Sequence, residues 1–165
     1  MAAMRSMMER LKLTVNERKT KLCRLPEQTF DFLGYTFGRY YSGKTGRAYL
    51  CPQPSRKKIR QLCESLHEQT RRSTVQLDPK ELVERLNRRL RGWANYFCLG
   101  PVYKAYRVVD RYLTARLRRW LCRKHGMRSQ NTTAYSYQYL YHELGLVHLP
   151  KLTTSPRVRK HDKPI

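Results

Sequence analysis

The sequence predicts an α+β fold: a small N-terminal β-hairpin with an accompanying helix, followed by an α-helical bundle of three to four helices. Three observations lead there. Two runs rich in aromatic and β-branched residues, Phe30 to Tyr41 and Arg47 to Cys51, flank the turn-forming cluster Ser42-Gly43-Lys44-Thr45-Gly46, which is the pattern of a hairpin. From residue 56 onward apolar residues instead recur at three- and four-residue spacing, the period of a helix with one buried face. Helix start and stop residues then punctuate that second region at helix-length intervals.

Taken in order, residues 3–13 read as a short helix, and Lys21 to Leu25 is a candidate extra strand beside the hairpin. Cys51-Pro52-Gln53-Pro54 breaks the strand pattern and reads as a linker. Ser55 is placed to cap a helix over residues 56–70, where Ile59, Leu62, Cys63 and Leu66 form the apolar stripe. Asp78-Pro79-Lys80-Glu81 is a stronger start signal. The aspartate can accept orphan backbone donors, proline is preset for the first helical position, and Glu81 can complete a capping box. That helix should run to about Phe97 and stop at Gly100-Pro101, and a third should run from Val102 to Lys124 and end at Gly126. Residues 135–143 suit a short fourth helix closed by Gly145, although the alternation of Tyr135, Tyr137, Tyr139 and Tyr141 equally suits a strand. The organisation expected is thus 1–51, a hairpin region; 52–150, a helical domain; and 151–165, a basic tail with two prolines that orders only on binding.

A net charge of +23 and a pI near 10.4, with apolar residues at 40%, describe a chain able to form a core yet strongly self-repelling. Its natural counterpart is a polyanion, and nucleic acid is the commonest one. No membrane partner is expected: no apolar run approaches the roughly 20 residues that span a bilayer, and no lipidation motif is present. The five cysteines are odd in number and form no CxxC pair, so reduced thiols are expected rather than a disulfide framework or zinc knuckle. That suits a bacterial cytoplasm, with an organelle as the alternative. His67, His125, His142, His148 and His161 show no repeated metal-ligand spacing, and His142 and His148 read as surface residues flanking a turn. The Ser42–Gly46 cluster lacks the first half of a phosphate-binding loop.

The charge is organised on helix faces. In the second long helix Leu82, Leu86, Leu90, Trp93 and Phe97 fall on one side, and Arg85, Arg88, Arg91 and Asn95 fall away from it. In the third, Tyr106, Val109, Leu113, Leu117 and Trp120 form the apolar face, opposite Lys104, Arg107, Arg111 and Arg118. Between residues 102 and 128 one acid, Asp110, stands against nine lysines and arginines. Solvated faces normally mix both signs, and like charges at helical spacing weaken a helix. A nearly one-signed, arginine-rich face therefore points to phosphate, which the guanidinium fork grips with two bonds. Lys57 and Lys58, at the start of the first long helix, join the candidate contacts. Tyrosines interleaved with this charge suit unpaired bases or sugar hydroxyls.

Three stretches, in order, resemble the C-terminal part of group II intron reverse transcriptases, the intron-encoded maturases. Leu13-Thr14-Val15-Asn16-Glu17-Arg18-Lys19-Thr20 is similar to the segment closing the polymerase palm. Phe30-Asp31-Phe32-Leu33-Gly34-Tyr35 is similar to the primer-grip hairpin, and Leu86 to Phe97 resembles the signature of the thumb, or maturase, region. Arg116-Leu117-Arg118-Arg119-Trp120 agrees with the helix that follows. The resemblance spans roughly residues 8–128. It implies that 1–51 is the palm end with a primer-grip-like hairpin (Phe32, Leu33, Gly34 and Tyr35) and that 52–150 is the thumb or maturase-specific domain.

The resemblance further implies binding of group II intron RNA during folding and splicing, and gripping of a template–primer in the full-length protein. Gly34 would let backbone approach the primer, Trp93 and Phe97 would knit the thumb helices, and Gly92 would permit close helix approach. Arg91 and Asn95 would meet RNA or template–primer backbone, or else form an interhelical hydrogen bond. The core would include Leu86, Leu90, Leu113, Leu117 and Trp120. Family polymerases use clustered carboxylates, including Tyr-Ala-Asp-Asp, to hold two metal ions, with Mg²⁺ expected in the full-length enzyme. Here the aspartates are Asp31, Asp78, Asp110 and Asp162, none adjacent to another. A fragment with no catalytic residue, metal or cofactor of its own is expected. Alternatives remain open: completion of a polymerase in trans with a fingers–palm chain, a basic structural RNA- or DNA-binding protein, or a non-functional remnant of a truncated retroelement.

Overall fold

In a computed structural model, the structure describes residues 2–14, 16, 23–25, 27–42, 45–127 and 134–153. The expected α+β arrangement is present: a three-stranded antiparallel sheet leads into a helical bundle. Helix α1 (Ala2–Arg10) comes first, and Met7, Leu11 and Leu13 in and after it are exposed. Cys23 to Leu25 carries no strand. The remainder of the Lys21–Leu25 segment, most of the Leu13–Thr20 stretch, the hairpin tip at 43–44 and the tail from residue 154 lie outside the described residues.

The run from Phe30 to Tyr41 is two strands rather than one. Strands β1 (Phe30–Phe32) and β2 (Tyr35–Tyr41) pair with Phe32 opposite Tyr35, leaving the two-residue turn Leu33-Gly34. Both turn residues have positive φ, 50° and 85°, as a tight hairpin turn with the twist of its strands requires. Leucine is a poor occupant of that conformation, so the turn is inconspicuous in the sequence. Strand β3 (Ala48–Pro54) pairs along the whole of β2 and absorbs the expected linker at Cys51–Pro54. Its prolines are tolerated because β3 is an edge strand. Pro52 and Pro54 lie two residues apart, so both missing donors fall on the same side of the strand.

Helix α2 (Arg56–Gln69) starts at Ser55, whose Oγ accepts from the Lys58 amide at 3.3 Å. Helix α3 (Pro79–Tyr96) starts at Asp78, whose carboxylate accepts from the amides of Lys80 and Glu81 at 2.9 and 3.3 Å. The second half of the expected capping box is not made: Glu81 turns outward to Arg85 at 2.6 Å. Helix α4 (Tyr103–Lys124) follows Gly100 at φ 76° and ends at Gly126 at φ 65°. Residues 135–143 are neither strand nor regular α-helix. They form a π-helical turn over Tyr139–Glu143, after which a short helix α5 (Leu149–Leu152), absent from the sequence reading, closes the bundle.

The core lies between α2, α3, α4 and the C-terminal segment. Leu66, Leu86, Leu90, Leu113, Leu117, Trp120, Leu140 and Leu149 are each at most 1% exposed, and burying a leucine side chain contributes about 1.5–3 kcal/mol. Phe97 is also buried, and Trp93 is partly so. The Tyr106 hydroxyl donates into the carbonyls of Ala94 and Phe97, 3.0 Å from each, and its ring packs 5.6 Å from that of Trp93. The sheet docks on the C-terminal end of α3 through an interlock. Tyr35 donates to the Tyr96 carbonyl at 2.5 Å, and Tyr96 donates back to the Leu33 carbonyl at 2.8 Å.

Candidate nucleic-acid interface

The cations of α4 divide into two kinds. Three are spent on the fold. The Arg116 guanidinium donates to the Thr70 carbonyl at 3.0 Å, at the end of α2 where unsatisfied carbonyls collect, and partial burial lowers its pKa. Lys124 donates to the Val75 carbonyl at 3.1 Å. Arg118, expected on the open face, donates from Nε to the Tyr135 carbonyl at 2.8 Å and lies 4.4 Å from the Tyr137 ring centre. It anchors the C-terminal segment rather than standing free on the face. The helical period cannot reveal this, because the partner segment is 17 residues away.

The second kind is open. Lys104, Arg107 and Arg111 are exposed on α4, Arg88 and Arg91 on α3, and Lys57 and Lys58 on α2. None forms an ion pair among the described residues; Arg107 lies 5.8 Å from the exposed Tyr103 ring. Arg85 differs, being tied to Glu81. The side chains of Arg91 and Asn95 are exposed and make no hydrogen bond among the described residues, so no interhelical bond joins them there. Phe32 is exposed on β1.

Asp110, the lone acid of α4, is buried. Its carboxylate accepts from the Tyr141 hydroxyl at 2.7 Å, and His148 Nε2 stands 3.9 Å away. Burial raises the Asp110 carboxyl above its ordinary range, against the lowering effects of Tyr141 and His148. Burial and the bond to Asp110 push the Tyr141 phenol up as well. His148 is therefore not the surface residue expected: it is half-buried against the Tyr141 ring at 4.7 Å. This cluster fastens the π-helical turn and α5 to α4.

One cleft, of about 730 Å³, draws residues from three elements. The Leu33-Gly34 turn forms one wall, Lys58, Gln61 and Ser65 of α2 another, and Arg88, Arg89, Gly92, Trp93 and Tyr96 of α3 the floor and rim. It thus unites Leu33, Gly34, Lys58 and Arg88, which the sequence reading had assigned to separate contacts, with Trp93 and Phe97. Lys57, Arg91, Asn95, Lys104, Arg107 and Arg111 lie outside it. Arg89, which hydrogen-bonds Ser65 across the cleft, was missed. Gly92 does not serve the close helix approach expected of it: a Cβ there would meet nothing within 4 Å among the described residues. Gly34 is required locally, by its φ of 85° and by Lys58 and Phe97 at 3.1–3.2 Å from a Cβ. Among the described residues no cluster could hold a metal ion, and no helix is long and apolar enough to cross a membrane.

Residues 57–137 match the family model of the group II intron, maturase-specific domain. No curated protein matches the chain.

Proposed function

The chain carries a group II intron maturase-specific domain over residues 57–137, and from that premise we propose that it binds group II intron RNA and assists the intron's folding and splicing. The observation that carries this reading is the set of exposed cations without ion partners among the described residues: Arg88 and Arg91 on α3, and Lys104, Arg107 and Arg111 on α4. In a chain of net charge +23 such groups are satisfied by phosphate oxygens, and each contact releases counterions. The buried core beneath them supplies a rigid platform, and Asn95, one turn from Arg91, adds a neutral donor. In a longer protein the same faces, with the Leu33-Gly34 turn, would grip a template–primer. Binding, not polymerisation, is the role proposed for this chain alone.

The test is binding of intron RNA across a salt series. With about six phosphates engaged, the log–log slope should be near −4 to −5. Arg107→Gln with Arg111→Gln should weaken binding while the circular dichroism spectrum is unchanged. A flat salt response would overturn the reading. Equal affinity for unrelated RNA of the same size would favour a basic structural binder instead.

A further inference from the structure

We propose that the cleft between the Leu33-Gly34 turn and helices α2 and α3 receives a single unpaired nucleobase of a bound RNA, with the adjoining phosphate held by Lys58, Arg88 and Arg89. The choice of RNA as the source rests on the function proposed above; the pocket itself rests on four local observations.

Gly92 comes first. It lies inside α3, where glycine weakens a helix relative to alanine. Its φ is not in the left-handed region, and a Cβ on it would touch nothing. Neither backbone conformation nor packing among the described residues calls for glycine here. Close approach of an outside group to the helix backbone does, and Gly92 lines the cleft. The second observation is Trp93, the next residue. Its partly exposed indole lines the same cleft. The accessible part of that ring offers an apolar flat surface on which a heteroaromatic group can stack. Third, the rim is cationic: Lys58, Arg88 and Arg89 border the apolar floor, so the cleft complements a flat apolar group joined to a phosphate. Fourth, the volume of about 730 Å³ falls within the range of small-ligand pockets. The turn that walls the cleft holds Leu33, 67% exposed, at φ 50°, a conformation a leucine rarely keeps unless its surroundings hold it there. The Tyr96 hydroxyl supplies that hold through the Leu33 carbonyl.

The chain has two tryptophans, so its indole N–H resonances form a simple reporter. Trp120 donates to Thr74 at 3.1 Å and is wholly buried, leaving Trp93 as the responsive signal. Adenosine monophosphate titrated into the full chain should shift the Trp93 indole resonance, and ribose 5-phosphate at equal concentration should not. An RNA hairpin with one bulged adenosine should bind roughly tenfold more tightly than the same hairpin with an abasic bulge, the scale of one base stacked on an aromatic ring. Gly92→Leu, which fills the cleft from a position with room for a side chain, should abolish the adenosine-dependent shift and bring the two hairpins within about twofold.

The comparison is a ratio, so a uniform loss of RNA affinity does not count. Equal responses to the nucleotide and the sugar phosphate would reduce the cleft to an ordinary phosphate contact and overturn the proposal. So would equal affinities for the two hairpins, even with steep salt dependence, which would leave intron RNA binding itself standing. If no RNA binds but the nucleotide still shifts Trp93, the base site survives and the RNA reading fails.

Discussion

Two glycines in the same stretch of chain make opposite demands. Gly100 turns the backbone from α3 toward α4 at φ 76°, and a Cβ there would run into the Pro52 carbonyl oxygen and the Cys51 sulfur. Gly92 has neither constraint. Gly100→Ala should therefore cost about 2–4 kcal/mol, combining a left-handed backbone with overpacking against strand β3. Gly92→Ala should instead stabilise the protein by up to about 1 kcal/mol through helix propensity alone. Urea denaturation of both variants decides the matter: a neutral Gly100→Ala would mean that β3 and the α3–α4 turn do not meet, and a destabilising Gly92→Ala would mean that the helix backbone there is packed after all. From sequence the two are distinguishable only in part. Gly100-Pro101 is a recognisable stop signal, whereas Gly92 invites a packing explanation that the open space around it rules out.

Among the elements, the fold was most legible where side chain and backbone partner are close in sequence. Ser55 and Asp78 bond amides two or three residues ahead, so their helices begin where expected. The readings that failed depend on distant partners. Pro52 and Pro54 become strand because β2 offers an edge on which their missing donors cost nothing, and Arg118 leaves the open face because Tyr135 and Tyr137 fold back over it. The C-terminal element was ambiguous because a π-helical turn has neither helical nor strand periodicity. Its attachment at Asp110 makes a prediction of its own. A carboxyl raised by burial adds most stability while protonated, and that contribution is lost as pH rises through its folded-state value. Asp110→Asn keeps an acceptor for Tyr141 and removes the charge. Its stability relative to the parent should rise between about pH 4 and pH 7. Denaturation at both ends of that range gives the difference directly, and a fall with pH would mean that His148 outweighs burial.

At the level of the whole molecule, an α+β body with basic faces was legible from charge and period. The cleft was not, since it exists only when a hairpin turn and two helices are brought together. What brings them together is a junction of one residue. Strand β3 ends at Pro54 and helix α2 begins at Arg56, so Ser55 alone separates them, itself buried and bonded through its amide to the Gly34 carbonyl at 2.9 Å. Tyr35 and Tyr96 lock the same corner from the other side. A chain started at residue 57, where the family match begins, would leave the Phe97 ring without the Tyr35 ring that packs 5.0 Å from it. Such a truncate should bind hydrophobic dyes and aggregate at concentrations where the intact chain does not; a soluble, dye-silent product would show the bundle to be self-sufficient. Sheet and bundle are thus joined through one buried residue and a reciprocal pair of tyrosine bonds, so displacing the hairpin should carry the C-terminal end of α3 with it.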